Sequence, residues 1–232
     1  MKNPNETVSE IDITSEKMIR SILHDIIPDA AFYGEETEQS RSDQLTWVVD
    51  PIDGTTNYLK GIDLWSVSIA LLEKHLPIVS CIVRPAVRET FTAVKGMGAF
   101  HNGKKLKKVT KKDLGSALIG TGMPFRTPES YDAFFPCARE VLEGSLDIRR
   151  MGSAAIDLAY VGADILQGFW EIDLQPYDVA AALLIMEETG CICTDATGGN
   201  YDMFSSRTCV AGHPGVHEKL VSITGKHYKE FI

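Results

Sequence analysis

Apolar residues recur along this chain with two different periods, and the change between them outlines its organisation. From Ile13 onward, Met18, Ile19, Ile22, Leu23 and Ile26 return at helical spacing, with Thr14 or Ser15 placed to cap the start and Pro28 to stop it. The spacing predicts a first helix with those five residues on its buried face. LTWVV (45–49) is then an apolar run of strand length, and WSVSIALL (65–72), PIVSCIV (77–83) and ETFTAV (89–94) follow between short polar turns, the pattern of an antiparallel sheet. Asn102-Gly103 is a two-residue hairpin turn, and Lys104, Lys105, Lys107, Lys108, Lys111 and Lys112 beyond it fit a charged, solvated sheet edge better than a docking patch.

The second half alternates. ALIGT (117–121) is strand-like, residues 131–143 are helical, SAAIDLAYVGA (153–163) is a small-residue helix, and LQGFWEID (166–173) is extended. After Pro176 the run DVAAALLIMEET forms a helix ended by Gly190, followed by CICTDATGG, a strand TCVAG (208–212) and a last helix from Pro214. There is no repeat, linker or low-complexity stretch. The expectation is one domain over 1–232, its N-terminal half (about 1–115) and C-terminal half (about 116–232) packed as layers of one α/β unit.

Composition narrows the function. With 44% hydrophobic and 24% charged residues over 232 positions, the chain has the make-up of an ordinary globular protein. A formal charge of −9 argues against nucleic acid or a lipid surface as partner, since both need a positive field, and favours small substrates or metal cations. The five cysteines are odd in number and form no CxxC pair, so reduced thiols are expected. The polar start MKNPNETVSE and the absence of an apolar run near the roughly 20 residues of a membrane span point to the cytoplasm. The six histidines lack metal-ligand spacing, and Trp47, Trp65, Trp170, Cys191 and Cys193 read as packing residues.

Candidate chemistry concentrates in WVVDPIDGTTN (47–57). Asp50 ends an apolar strand, Pro51 stiffens the backbone, and the Ile52 carbonyl and Asp53 can turn toward the same point, as a hard cation requires. Gly54, Thr55 and Thr56 then offer backbone amides suited to a phosphate. A simple strand end followed by a helix cap explains the same residues. GEET (34–37), with Glu35 and Glu36, and PYDVAA, with Asp178 opening an apolar helix, add carboxylates in comparable settings; for Asp178 the simpler account is a helix N-terminal charge.

The order GEET, WVVDPIDGTTNYLKG, RRMGSAAIDLAYVGA and GFWEIDLQPYDVAAALLIMEETG, from Thr7 to about Ile223, resembles the inositol monophosphatase family of Mg²⁺-dependent, lithium-sensitive phosphatases. The resemblance implies a layered α-β-α-β-α sandwich of the sugar phosphatase type, with a largely antiparallel N-terminal sheet, a mixed C-terminal sheet, and a homodimer. It implies that Glu35, Asp50, the Ile52 carbonyl, Asp53 and Asp178 hold Mg²⁺, and that Thr55 and Glu35 share the proton of the nucleophilic water. By the same resemblance the Gly54 and Thr55 amides hold phosphate oxygens, Glu171 accepts a substrate hydroxyl, Gly152, Ser153 and Ala154 line the polyol, and Asp53 is counted among the substrate-binding residues as well as the metal ligands. Asp12 resembles a carboxylate beside the active-site water, or else caps the first helix. Family members carry a further helix before the stretch matching Lys2, so a shortened chain or a compensating oligomer interface is expected.

The expected reaction is in-line hydrolysis of a small polyol or sugar phosphate, inositol monophosphate first. Fructose 1,6-bisphosphate, nucleotide-type phosphates and histidinol phosphate are alternatives within the family, and a non-catalytic metal- or protein-binding relative is an alternative outside enzymology. The haloacid-dehalogenase-like phosphatases share a superficial Asp53-Gly54-Thr55, but here the aspartates stand three apart rather than two.

Overall fold

The computed structural model describes residues 10–231; of the polar N-terminal stretch read above, residues 1–9 lie outside them. The first sheet holds β1 (Ala31–Gly34), β2 (Leu45–Asp53), β3 (Ser66–Glu73), β4 (Leu76–Arg84), β5 (Glu89–Val94), β6 (Gly98–His101) and β7 (Lys104–Lys105), side by side in that order. Every pairing in it is antiparallel except β1 with β2. Asn102 and Gly103 turn β6 into β7 with φ of 48° and 74°, the backbone of a type I′ turn, so the lysine-bearing strand is the exposed edge. The second sheet runs β11 (Ile192–Thr194), β12 (Thr208–Gly212), β10 (Gly168–Ile172), β8 (Leu118–Thr121), β9 (Asp147–Arg149) and is mixed, with parallel pairs around β8.

Helices separate and cover the sheets. α4 (Ala154–Gly162) and α5 (Pro176–Thr189) lie between them, α1 (Glu10–Ile26) lies on the outer face of the first, and α3 (Tyr131–Gly144) with α6 (Val216–His227) covers the second. The result is the α-β-α-β-α sandwich and the two sheet types that the resemblance implied. The central core joins Val48, Leu72, Ile82 and Phe91 of the first sheet to Ile156, Leu158, Leu184 and Ile185 of the middle helices. Small residues let those helices approach closely: a Cβ at Gly162 would stand 2.8 Å from Ile185 Cγ2. A second core gathers Ile119 and Trp170 with Phe134, Val141 and Leu220.

The first helix departs from its sequence reading. It begins at Glu10, with Thr14 Oγ1 bonding back to the Glu10 carbonyl rather than capping. Met18, Ile22 and Ile26 are exposed at 63, 59 and 62%, and only Ile19 and Leu23 of the five apolar residues pack inward. The buried face is Asp12, Glu16, Ile19 and Leu23, a regular i, i+4, i+7, i+11 stripe half made of carboxylates. Glu16 is held there by the Glu36 amide at 2.8 Å and the Thr37 hydroxyl, so its burial is compensated and it clamps the GEET turn. Leu23→Ala should therefore cost about 2–4 kcal/mol and Met18→Ala less than about 0.5 kcal/mol in urea unfolding. Equal losses at the two positions would restore the original face.

Candidate active site

Two features of strand pairing bring the carboxylates together. Asp50 pairs with Ser68 and Asp53 with Ser66, so three steps on β2 match two on β3 and the strand carries one extra residue. That bulge, built at Pro51 where no ladder donor exists, turns both aspartates to one side of the sheet, whereas an odd spacing in a regular strand would put them on opposite sides. On the other flank, β1 runs parallel to β2 with Gly34 opposite Val49, so the next residues, Glu35 and Asp50, emerge side by side. Asp178 arrives from the middle layer in the first turn of α5, where its Oδ2 accepts the Gln175 amide at 2.7 Å in a capping box.

Each loop residue is fixed by its neighbours. Asp50 Oδ1 accepts the Ile52 amide at 2.9 Å. Asp53 accepts the Ser153 hydroxyl at 2.5 Å and the Ala154 and Ala155 amides at 3.3 and 2.8 Å, so the N-terminus of α4 grips it. Gly54 has φ of 100°, and a Cβ there would lie 3.0 Å from the Gly152 carbonyl, which makes glycine the residue that fits. Thr55 begins the short helix α2 (Thr55–Leu59), its hydroxyl 3.1 Å from Asp12 Oδ1 and 3.2 Å from the Ile52 carbonyl. Asp12 is fully buried and reaches the loop from inside α1, not from its cap.

These groups face a cavity of about 410 Å³, lined also by Thr121, Gly122, Arg126, Arg150, Asp157 and Glu171. Burial pushes the Asp50 carboxyl well above the usual range, and Glu35, Asp53 and Asp178 push it further. Burial likewise raises Asp53, against the bonds from Ser153, Ala155 and Ala154. It lifts Asp178 to about 7, with Asp53 adding to the effect, and Glu171 to about 8, with Asp178 and Asp53 adding. Asp157 is raised well above its ordinary value by burial and then by Glu171 and Asp53. Asp50, Asp53 and Asp178 each offer an oxygen within 4.8 Å of the others. Self-repelling, buried and all-oxygen, that set fits a hard divalent cation.

The structure thus gathers Glu35, Asp50, Ile52, Asp53, Gly54, Thr55, Gly152, Ser153, Ala154, Glu171 and Asp178 around one cavity, with Asp12 behind Thr55. Ser153 and Ala154 turn their donors to Asp53, so they border the cavity by shape. Arg126, Arg150, Thr121 and Asp157 were missed by sequence reasoning. Arg150 and Asp157 stand inside the quoted RRMGSAAID stretch, whereas Arg126 sits in a loop without a pattern.

The model of the inositol monophosphatase family matches residues 1–229. The chain belongs to the inositol monophosphatase family. It is 43% identical over 202 residues to the inositol-1-monophosphatase of Rhizobium meliloti, covering 86% of this chain and 76% of that protein. It is 37% identical to the Nus factor SuhB of Escherichia coli K12 over 95% of this chain and 83% of the relative. The crystal structure of extragenic suppressor protein suhB from Bartonella henselae superposes with a TM-score of 0.91 at 38% identity, over 97% of this chain and 87% of that one. As a member of this metal-dependent phosphatase family, the chain has a reason to keep four acidic side chains on one side of a cavity.

A pH consequence follows for the chelated protein. Asp178 has an ordinary value of 3.8 and a folded value of about 7, so its contribution is fully present below about pH 4 and is lost as pH rises through 7. Asp178→Asn should melt higher than wild type in chelator at pH 8, with the gap closing by pH 5. Parallel melting profiles for the two proteins would exclude this.

Proposed function

We propose that this protein is a Mg²⁺-dependent phosphomonoesterase for a small polyol or sugar phosphate, inositol monophosphate first. The observation that carries the reading is the convergence of Asp50, Asp53 and Asp178 on a cavity whose other walls hold Arg126, Arg150 and Glu171. Carboxylates suit the cation, arginines suit the ester's phosphate, and a carboxyl away from the loop suits a hydroxyl.

Glu35, Asp50, Asp53, Asp178 and the Ile52 carbonyl would hold the ions. Bound Mg²⁺ supplies neutralisation of phosphate charge and a water of lowered pKa. The chain does the rest by position. Thr55 Oγ1, 3.1 Å from Asp12 Oδ1, accepts a hydrogen bond from the attacking water and passes the proton inward, with Glu35 sharing it across the loop. The Gly54 and Thr55 amides hold phosphate oxygens, and Glu171 takes a hydroxyl of the leaving group while Gly152, Ser153 and Ala154 shape the wall. The new phosphorus–oxygen bond forms in line as the ester bond breaks, and the departing alkoxide takes up a proton. A homodimer in the cytoplasm completes the reading, supported by family membership; among the described residues no helix is long and apolar enough to cross a membrane.

The Nus factor name of the SuhB relatives supports a second reading, a protein-binding role without turnover. A panel of phosphomonoesters assayed with Mg²⁺, with excess chelator and with Li⁺ separates the two. Hydrolysis should need Mg²⁺, fall with Li⁺ and be fastest on a polyol ester; no hydrolysis of any ester favours the second reading. Thr55→Ala should lower kcat by about 10²-fold or more with little change in KM. A change confined to KM would remove Thr55 from the proton path. Light scattering should give twice the chain mass.

A further inference from the structure

Between β8 and α3 the chain borders the cavity with Met123, Phe125 and Arg126. Arg126 is the charged member of that segment. Its guanidinium partly offsets the rise that burial imposes on Glu171, Asp178 and Asp53, so its positive charge is felt across the acidic wall. Yet it sits on irregular backbone, where no ladder of hydrogen bonds fixes it.

The segment is tied down one residue later. Thr127 is only 4% exposed, and each of its polar groups is in use. Its amide donates to the Pro124 carbonyl at 3.1 Å, its carbonyl accepts the Ser130 amide and hydroxyl at 2.9 and 2.8 Å, and its hydroxyl donates to Asp173 Oδ2. Asp173 lies between β10 and α5 and is itself held: Arg207 grips the carboxylate through Nε at 2.9 Å and Nη2 at 3.0 Å, and the Asp173 amide donates to the Arg207 carbonyl at 2.6 Å. A forked guanidinium on both carboxylate oxygens leaves that acceptor one orientation. None of these three side chains is among the residues lining the cavity, so what they contribute to the site passes through chain neighbours, Arg126 beside Thr127 and Leu174 beside Asp173. Of those two, the arginine has the steep geometric requirement, because a guanidinium binds phosphate best through two parallel hydrogen bonds.

We propose that Thr127 and Asp173, pinned by Arg207, are positioning residues for Arg126, and that this clamp sets the affinity of the site for the phosphate group of the substrate rather than for its alcohol. The inference rests on the phosphatase reading and deepens it by assigning phosphate affinity to contacts made outside the cavity.

Thr127→Val keeps the shape of the side chain and removes its hydroxyl. KM for inositol monophosphate and for an aryl phosphate should rise alike, about tenfold, with kcat within about twofold, and Ki for inorganic phosphate should rise by the same factor. In an Arg126→Ala background the same substitution should change KM and Ki by less than about twofold, since the residue being positioned is gone. An unchanged Ki in the single variant, a loss confined to kcat, or a full change that persists without Arg126 would overturn the proposal. Arg207→Met loosens the clamp from its solvent side and serves if Thr127→Val does not fold; there Ki should rise about threefold or more, and an unchanged Ki overturns. Should wild type hydrolyse neither ester, the phosphatase reading fails on its own, and calorimetric titration of inorganic phosphate in the presence of Mg²⁺ decides for the clamp. Binding that weakens about tenfold in Thr127→Val supports it; binding equal in both proteins, or absent from wild type, refutes it.

Discussion

Like charges buried side by side repel, and this fold assembles Asp50, Asp53, Asp178 and Glu35 about one point while keeping three of them almost out of solvent. What makes the arrangement sustainable without a cation is the supply of donors: the N-terminus of α4 on Asp53, the Ile52 amide on Asp50 and the Gln175 amide on Asp178. Each donor comes from a different element, and each element has to be at its place for the set to exist. The one-residue bulge in β2, the parallel step from β1 and the stacking of α4 on α5 can all be understood as conditions for that one charge cluster.

Much of the fold was legible because its elements obey a single period. β5 begins and ends where ETFTAV does, and α5 ends at Gly190, whose φ of 82° only glycine adopts without strain. The short strands β1 and β9 were not legible. AFYG has too few residues to show alternation, and its strand character comes from pairing with β2 across an intervening loop. That strand is what carries Glu35 to Asp50, so the sequence named the glutamate without the geometry that makes it useful. The Asp50–Asp53 pair shows the same division: the motif was visible, but the bulge that puts both on one side is a property of register with Ser66 and Ser68.

The first helix shows how local pattern misleads near a site. Hydrophobic spacing selects Met18, Ile22 and Ile26, yet the sheet is covered by a stripe with Asp12 and Glu16 in it. Distant residues bond those buried acids, Thr55 the one and Glu36 with Thr37 the other, and no short window of sequence contains an acid together with these partners. The helix is thereby less a cover than a brace, holding the two acidic loops at a fixed separation. Arg126 escaped notice for a related reason, since an arginine in an irregular loop acquires meaning only from the cavity it borders.

Asp53 belongs to two structures at once, the acidic cluster and the start of α4, whose first amides and Ser153 it binds. Selection acting on the fold alone would therefore preserve it. A lineage that gave up hydrolysis for another role would still need Asp53 for the start of α4 and the Thr55 hydroxyl for buried Asp12, and the family motif would persist in a protein that no longer used it. Retention of the second aspartate in DPIDGT is accordingly a record of ancestry and folding, and the residues that report on present-day chemistry are those with no other duty.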